Sequence, residues 1–457
     1  MTPLKSPSSA LLTDLYELTM AAAYFERRLD CRATFELFIR SLPPERGYLV
    51  AAGIDAAVDY LEDLRFTERD IRFLREHPAF RTISSGFFKY LRTFRFSGEV
   101  SAVEEGSLIF AEEPVLQVTA PVIEAQVVET YLLSLINFET LVASKAARIV
   151  GAARGRRVLE FGSRRAHGPE AGVRAARAAY VGGCDATSNV MAGCLFSIPI
   201  AGTAAHSWTQ VFPSERESFE ALLETFPETA ILLIDTYDPM AAAEIAVSLG
   251  RPVPGVRIDS GDLLDISRRV REILDRRGAS ATKIVASGDL NEDKIESLVQ
   301  RGAPIDSFGV GTDLSTSRDA PALNVVYKLV ETERGGLVDY KAKFSPDKIG
   351  WPGRKQVFRF LRQGKMDFDL IARASETHPE GEPLLRRVME NGRRVAPHRA
   401  LAEVRAAAMA NLMRLPKAYR ALRTAPEYPV RKSTALQELL DKAREQLAAG
   451  PRGSTTS

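Results

Sequence analysis

The chain has 457 residues, with 61 Lys and Arg against 59 Asp and Glu, a formal charge of +2. That balance excludes a bulk electrostatic drive toward nucleic acid or a membrane surface, and the length accommodates roughly two or three domains around a large core. An apolar share of 45% and a charged share of 26% exclude collagen-like, disordered and disulfide-rich classes.

In chain order, residues 1–9 hold one Lys and no apolar run, unlike a secretory signal. Residues 33–40 alternate as a strand does, and 99–103, 108–110 and 115–119 read as further short strands. A long helical stretch follows over 121–150. From 157 to 312 the style changes. Short β-branched runs at 157–161, 198–202, 231–234, 253–258, 283–286 and 307–310 alternate with amphipathic helices. Such runs suit strands buried on both faces of a parallel sheet. Ser214 and Glu217 are spaced as a capping box, and Asp238 followed by Pro239 opens a helix that Gly250 closes. Ile295, Leu298 and Val299 stripe another, ended by Gly302. The most apolar segment, 192–205, contains Pro199 and is too short to span a bilayer. After 340, strand and helix patterns mix, with helices near 399–413 and 433–448 and a loose tail at 449–457. The expectation is an α/β chain: a βα barrel over 131–340, with flanks 10–130 and 341–448 forming a second α/β domain. Cys31, Cys184 and Cys194 lack CxxC spacing, which fits a reducing cytoplasm.

The strand ends carry the chemistry. Each apolar run finishes in polar or glycine residues, and Asp235, Asp259, Ser287 and Thr312 follow one another at intervals of 24, 28 and 25 residues, one βα unit each. A βα barrel gathers such ends at one mouth; a doubly wound sheet gathers them in a crevice. Arg164, Arg165 and Arg257 offer planar forks for carboxylate or phosphate. Asp235, Asp259 and Asp289 suit Mg²⁺ or ribose hydroxyls, whereas Asp238 and Asp262 sit where helix caps belong. Gly309-Val-Gly-Thr312 offers backbone N–H groups to phosphate, yet no Walker A sequence exists in the chain. His206 has no HxH or HExxH partner, so taken alone it reads as a structural histidine. Neither a GxSxG elbow nor a Cys nucleophile context is present. Anion-binding groups, a phosphate turn and carboxylates together suggest transfer chemistry on a sugar phosphate.

Several motifs taken together resemble the bacterial nicotinate phosphoribosyltransferase family: Leu11-Leu-Thr-Asp-Leu-Tyr16, Phe161-Gly-Ser-Arg-Arg-Ala-His-Gly168, Gly182-Gly-Cys-Asp-Ala-Thr-Ser-Asn189, Gly202-Thr-Ala-Ala-His206, Val256-Arg-Ile-Asp-Ser-Gly-Asp262, Gly309-Val-Gly-Thr312 and Pro352-Gly-Arg-Lys-Gln356. The resemblance implies an irregular barrel of the type II phosphoribosyltransferase kind plus a flanking α/β domain. It implies an enzyme, an ATP-dependent ligase of NAD salvage, making nicotinate mononucleotide and diphosphate from nicotinate and 5-phosphoribosyl 1-diphosphate. Mg²⁺ would accompany the diphosphate and ATP would be a co-substrate. His206 would be transiently phosphorylated, and Asp259 would serve the ribose or the developing positive charge. Tyr16, Phe161, Arg164, Thr203 and Arg257 would contact nicotinate. Ser287, Gly288, Gly309, Gly311 and Thr312 would hold the phosphoribosyl diphosphate, with Asp235 and Asp289 as metal ligands. Tyr16 would reach the site of a second copy, making a homodimer with shared active sites and no nucleic-acid or membrane partner. The alternatives are the related nicotinamide phosphoribosyltransferase and a non-catalytic barrel that binds a phospho-ligand.

Overall fold

A computed structural model describes residues 9–344 and 350–448. The tail expected at 449–457 lies outside the described residues. The chain divides into two compact units, one of residues 1–140, 322–399 and 410–457 and the other of 141–321 and 400–409. The first boundary falls inside the helix Glu129–Ala153.

The expected boundary near 340 is corrected to 321/322. Strand Val325–Arg334 pairs antiparallel with Arg32–Ile39 and so belongs to the flanking unit. That pair belongs to a seven-stranded sheet whose central strand is Pro114–Pro121 and which continues through Glu99–Val103 and Leu385–Glu390. Leu37, Ile39, Leu116 and Val118 form its buried face. A four-stranded sheet around Lys355–Arg362 and Lys365–Arg373 completes this unit. Lys355 is buried there in a 2.7 Å ion pair with Glu36.

The second unit carries the parallel sheet that the apolar runs predict. Its strands are Arg157–Glu160, Ala186–Thr187, Ile231–Leu233, Gly255–Ile258, Lys283–Ala286 and Ser307–Val310. The first pairs with the second and also with the last, and every remaining pair joins sequence neighbours. A doubly wound sheet reverses direction at a switch point. Here each step goes the same way round, which is the winding of a barrel. The ring is irregular. The expected strand at 198–202 is reduced to a single bridge between Ile200 and Thr187. Pro199 lacks the N–H a ladder needs and contributes only its carbonyl, to Thr187 N at 3.0 Å. From Ile200 to Ile231 no ladder closes the ring among the described residues.

The helix caps follow the sequence closely. Asp238 Oδ1 accepts from Met240 N and Ala241 N at 2.8 and 2.9 Å, and Asp262 Oδ1 accepts from Leu264 N and Asp265 N at 3.0 and 3.2 Å. Both aspartates are therefore committed to structure. Ser214 accepts from Glu217 N, but the Glu217 carboxylate takes the Ser214 hydroxyl rather than closing a full box. The helix expected over 121–150 is split into Val122–Gln126 and Glu129–Ala153. Together these exceed 192–205 in apolar length, and Val122–Ala153 is long and apolar enough to cross a membrane by length and composition alone. In its apolar window, 61% is buried inside the protein, as in a core helix.

Candidate active site

Arg257, at the third position of strand Gly255–Ile258, is the hub of the strand-end residues. Its neighbours on that strand are buried, and its side chain is 13% exposed. It donates from Nε to Ser287 Oγ at 2.7 Å, from Nη1 to Thr203 Oγ1 at 2.6 Å and from Nη2 to Asp259 Oδ1 at 2.5 Å. The Ser287 hydroxyl in turn donates to Asp259 Oδ1 at 2.5 Å. Residues 203, 257, 259 and 287 thus form one hydrogen-bonded group drawn from three strand ends. Burial alone would raise the Asp259 carboxyl, but the bonds from Ser287 and Arg257 and the charge of Arg257 outweigh it. Asp259 ends below the ordinary carboxylate value.

His206 opens the helix His206–Val211 and stands beside this group. Its Nε2 is 3.9 Å from Asp259 Oδ2, and its Nδ1 is 3.2 Å from Thr236 Oγ1. Asp235 binds the neighbouring loop: its Oδ2 accepts from Asp259 N at 3.0 Å and Ser260 Oγ at 2.6 Å. Its Oδ1 is buried with no hydrogen-bond partner.

Two glycines set how closely the strand ends approach. A Cβ at Gly309 would lie 2.5 Å from Cδ2 of Phe161 and 3.3 Å from Cβ of Ser287, so the Phe161 ring lies over Gly309. Gly288 has φ +94°, and a Cβ there would fall 1.9 Å from the Asp259 carbonyl oxygen. Gly311 leads into the short helix Thr312–Ser315, and a Cβ at Gly311 would stand 3.3 Å from the Phe161 carbonyl oxygen. Phe161 is itself fixed by its N–H, which donates to Val310 O at 2.8 Å. Phe161, Thr203, His206, Arg257, Asp259, Ser287, Gly288, Gly309, Gly311 and Thr312 therefore converge on one end of the sheet.

Among the described residues, Arg164 and Asp289 make no hydrogen bond to this group. Arg164 lies in the short helix Ser163–Arg165 with its side chain exposed, and it makes no hydrogen bond or ion pair among the described residues. Asp289 is exposed, at φ +48°, on a cavity of about 670 Å³ that it shares with Asp259 and Gly288 of this group and with Ser260, Asp262 and Lys294. Among the described residues no three His, Cys, Asp or Glu side chains are grouped to hold a metal ion, so Asp235 and Asp289 belong to no such cluster. Tyr16 belongs to the first unit, on the helix Leu15–Glu26. Burial first, then the Glu129 and Glu17 carboxylates, push its phenol well up.

Models of three nicotinate phosphoribosyltransferase segments match the chain: the N-terminal domain over residues 11–137, the family proper over 157–339 and the C-terminal domain over 380–440. Nicotinate phosphoribosyltransferase pncB2 of Mycobacterium tuberculosis is 46% identical over 395 residues, covering 85% of this chain and 83% of that protein. The Bacillus subtilis nicotinate phosphoribosyltransferase is 42% identical over 369 residues, 79% and 74% of the two chains. The chain belongs to the nicotinate phosphoribosyltransferase family. The crystal structure of human nicotinic acid phosphoribosyltransferase superimposes with a TM-score of 0.81 at 31% identity, covering 94% of this chain and 99% of that one.

Other residues of this family member support the site without being evident in its sequence. The carboxylate of Glu160 accepts from Gly162 N and, at 2.6 Å, from the Thr187 hydroxyl, pinning the turn that carries Phe161. Lys145, 2% exposed, binds Glu292 at 2.6 Å and Asp319 at 2.7 Å, tying the Glu129–Ala153 helix to the segment after Thr312. Only the position of Thr236, directly after Asp235 at a decorated strand end, gives it a sequence signal.

Proposed function

We propose that this chain is a nicotinate phosphoribosyltransferase: it transfers the phosphoribosyl group of 5-phosphoribosyl 1-diphosphate to nicotinate, releasing diphosphate, with ATP hydrolysis coupled through His206. The observation that carries the reading is the Arg257 hub, a partly buried side chain bonded to Thr203, Ser287 and Asp259 at a barrel mouth.

The bond formed joins the pyridine nitrogen to ribose C1, and the bond broken is C1–O to diphosphate. Nicotinate attacks with its own lone pair, so no base need remove a proton from it. The site has to supply position and charge. Phe161 presents a ring face for the pyridine, and Arg257 answers the carboxylate with charge-assisted donors. Tyr16 and Arg164 are further nicotinate contacts in this reading, Tyr16 at the site of a second copy in a homodimer. Asp259, held below the ordinary carboxylate value, stays ionised and faces positive charge developing at C1. Gly288, Gly309, Gly311 and Thr312 offer backbone N–H groups and a hydroxyl to phosphate oxygens.

A Mg²⁺ ion arriving with the diphosphate takes most of its ligands from phosphate and water and needs only one or two protein carboxylates. The donor set fits that demand, since Asp235 Oδ1 is buried without a partner and Asp289 is exposed. Those two residues would hold the ion, which would neutralise the leaving group.

The test is a product assay. Purified protein is mixed with nicotinate, 5-phosphoribosyl 1-diphosphate, ATP and Mg²⁺, and the mononucleotide is followed by chromatography. Product from nicotinamide and none from nicotinate would move the chain to the sibling activity. Ligand binding without turnover would make it a non-catalytic barrel. His206→Ala should remove the stimulation by ATP while leaving slow transfer, and full ATP stimulation in that variant would end the phosphohistidine assignment.

A further inference from the structure

We propose that Thr236 is a positioning residue that sets the tautomer of His206, donating its hydroxyl hydrogen to Nδ1 so that the ring hydrogen resides on Nε2. The assignment rests on the two neighbours of the ring and not on the role of His206 in the reaction.

In a neutral imidazole one nitrogen carries hydrogen and the other a lone pair, and the surrounding partners decide which. The Nε2 side faces Asp259 Oδ2 at 3.9 Å. The other oxygen of that carboxylate already accepts from both Arg257 and Ser287. A carboxylate cannot donate, so the favourable arrangement points an N–H at it, and the opposite tautomer would aim a lone pair at an anion. With hydrogen on Nε2, Nδ1 is an acceptor. The group within reach of it is the Thr236 hydroxyl at 3.2 Å, which can rotate to donate.

Both partners of the ring are fixed by one clamp. Asp235, adjacent to Thr236, accepts from the Asp259 backbone N–H and from the Ser260 hydroxyl. The strand ends after Ile231–Leu233 and Gly255–Ile258 are therefore held together where they contact the two ring nitrogens. That explains why a hydroxyl follows directly on Asp235. It lets the carboxylate set the spacing of the strand ends while the neighbouring side chain sets the imidazole.

The experiment uses the full chain labelled with ¹⁵N-histidine, which introduces only 5 labelled residues. Two-bond ¹H–¹⁵N correlation spectra report the tautomer, and His206→Ala identifies the resonance. At a pH where the ring is neutral, the wild type should carry the His206 hydrogen on Nε2 alone. Thr236→Val keeps the side-chain shape and should yield a mixture of tautomers, and Thr236→Ser should restore the single form. A wild-type ring protonated on Nδ1, or the same spectrum in wild type and Thr236→Val, would overturn the proposal.

Discussion

Gly309→Ala tests the closeness of the strand ends most directly. The new Cβ would lie 2.5 Å from Cδ2 and 2.6 Å from Cε2 of Phe161, where ordinary contact begins at 3.4 Å. Strand Ser307–Val310 is buried at all four positions and paired on both sides, so the backbone does not yield. The half-buried ring does, by about 0.9 Å, the shortfall between those distances. Overpacking of this kind costs about 1–3 kcal/mol of stability. If the ring is the face on which the pyridine stacks, a displacement of about 1 Å costs on the order of 10²-fold in kcat/KM for nicotinate. Initial rates at varied nicotinate, with urea unfolding alongside, measure both effects. Gly151→Ala is the internal control. Its Cβ would meet nothing within 4 Å on the helix Glu129–Ala153, so it should stabilise by about 0.5–1 kcal/mol and leave the rates alone. Wild-type stability and wild-type kcat/KM in Gly309→Ala would refute the packing of Phe161 on this strand.

Arg257→Lys keeps the charge but loses the fork that serves Thr203, Ser287 and Asp259 together; kcat/KM for nicotinate should fall on the order of 10²-fold, more than the fall for nicotinamide, in paired rate assays. The Asp259 carboxyl is a stronger acid folded than unfolded, so its contribution to stability is complete above the ordinary value of 3.8 and is lost as pH falls through the lower folded value. Urea midpoints of wild type and Asp259→Asn should therefore converge as the pH is lowered below about 4, and a gap that widens would contradict the sign. Lys145→Met takes from Glu292 one of its two buried cations, the other being Arg148 at 3.0 Å, and should cost about 1–3 kcal/mol by urea unfolding, of which Glu292→Gln in the same chain recovers part.

The barrel was legible because its information is local. Apolar runs mark strands, and Asp238 and Asp262 announce helix starts through side chains that reach only two or three residues along the chain. Proline at 199 carries its own reason why one of those runs makes a bridge and not a strand. The flanking sheet was not legible in the same way, because its defining contacts are remote: Thr34 bonds Glu331 across 297 positions, and neither strand carries a local mark of the other. The convergence of Arg257, Asp259 and Ser287 was foreseeable from the regular spacing of strand ends, but the direction of each hydrogen bond was not. Thr236 was passed over because a hydroxyl acquires significance only from what stands 3.2 Å away. Lys145 looks like a solvated charge on a helix until two carboxylates close over it.

The division of the chain has a consequence for the order in which the protein is made. Synthesis completes residues 141–321 before strand Val325–Arg334 exists, so the barrel segment can collapse on its own contacts while Arg32–Ile39 waits with an unpaired edge beside Pro114–Pro121. The last fastening of the barrel arrives later still. Arg405 donates to the carbonyls of Gly183 and Cys184 and to Asp185, so a nascent chain stopped before residue 400 would carry a nearly finished catalytic half and an aggregation-prone remainder.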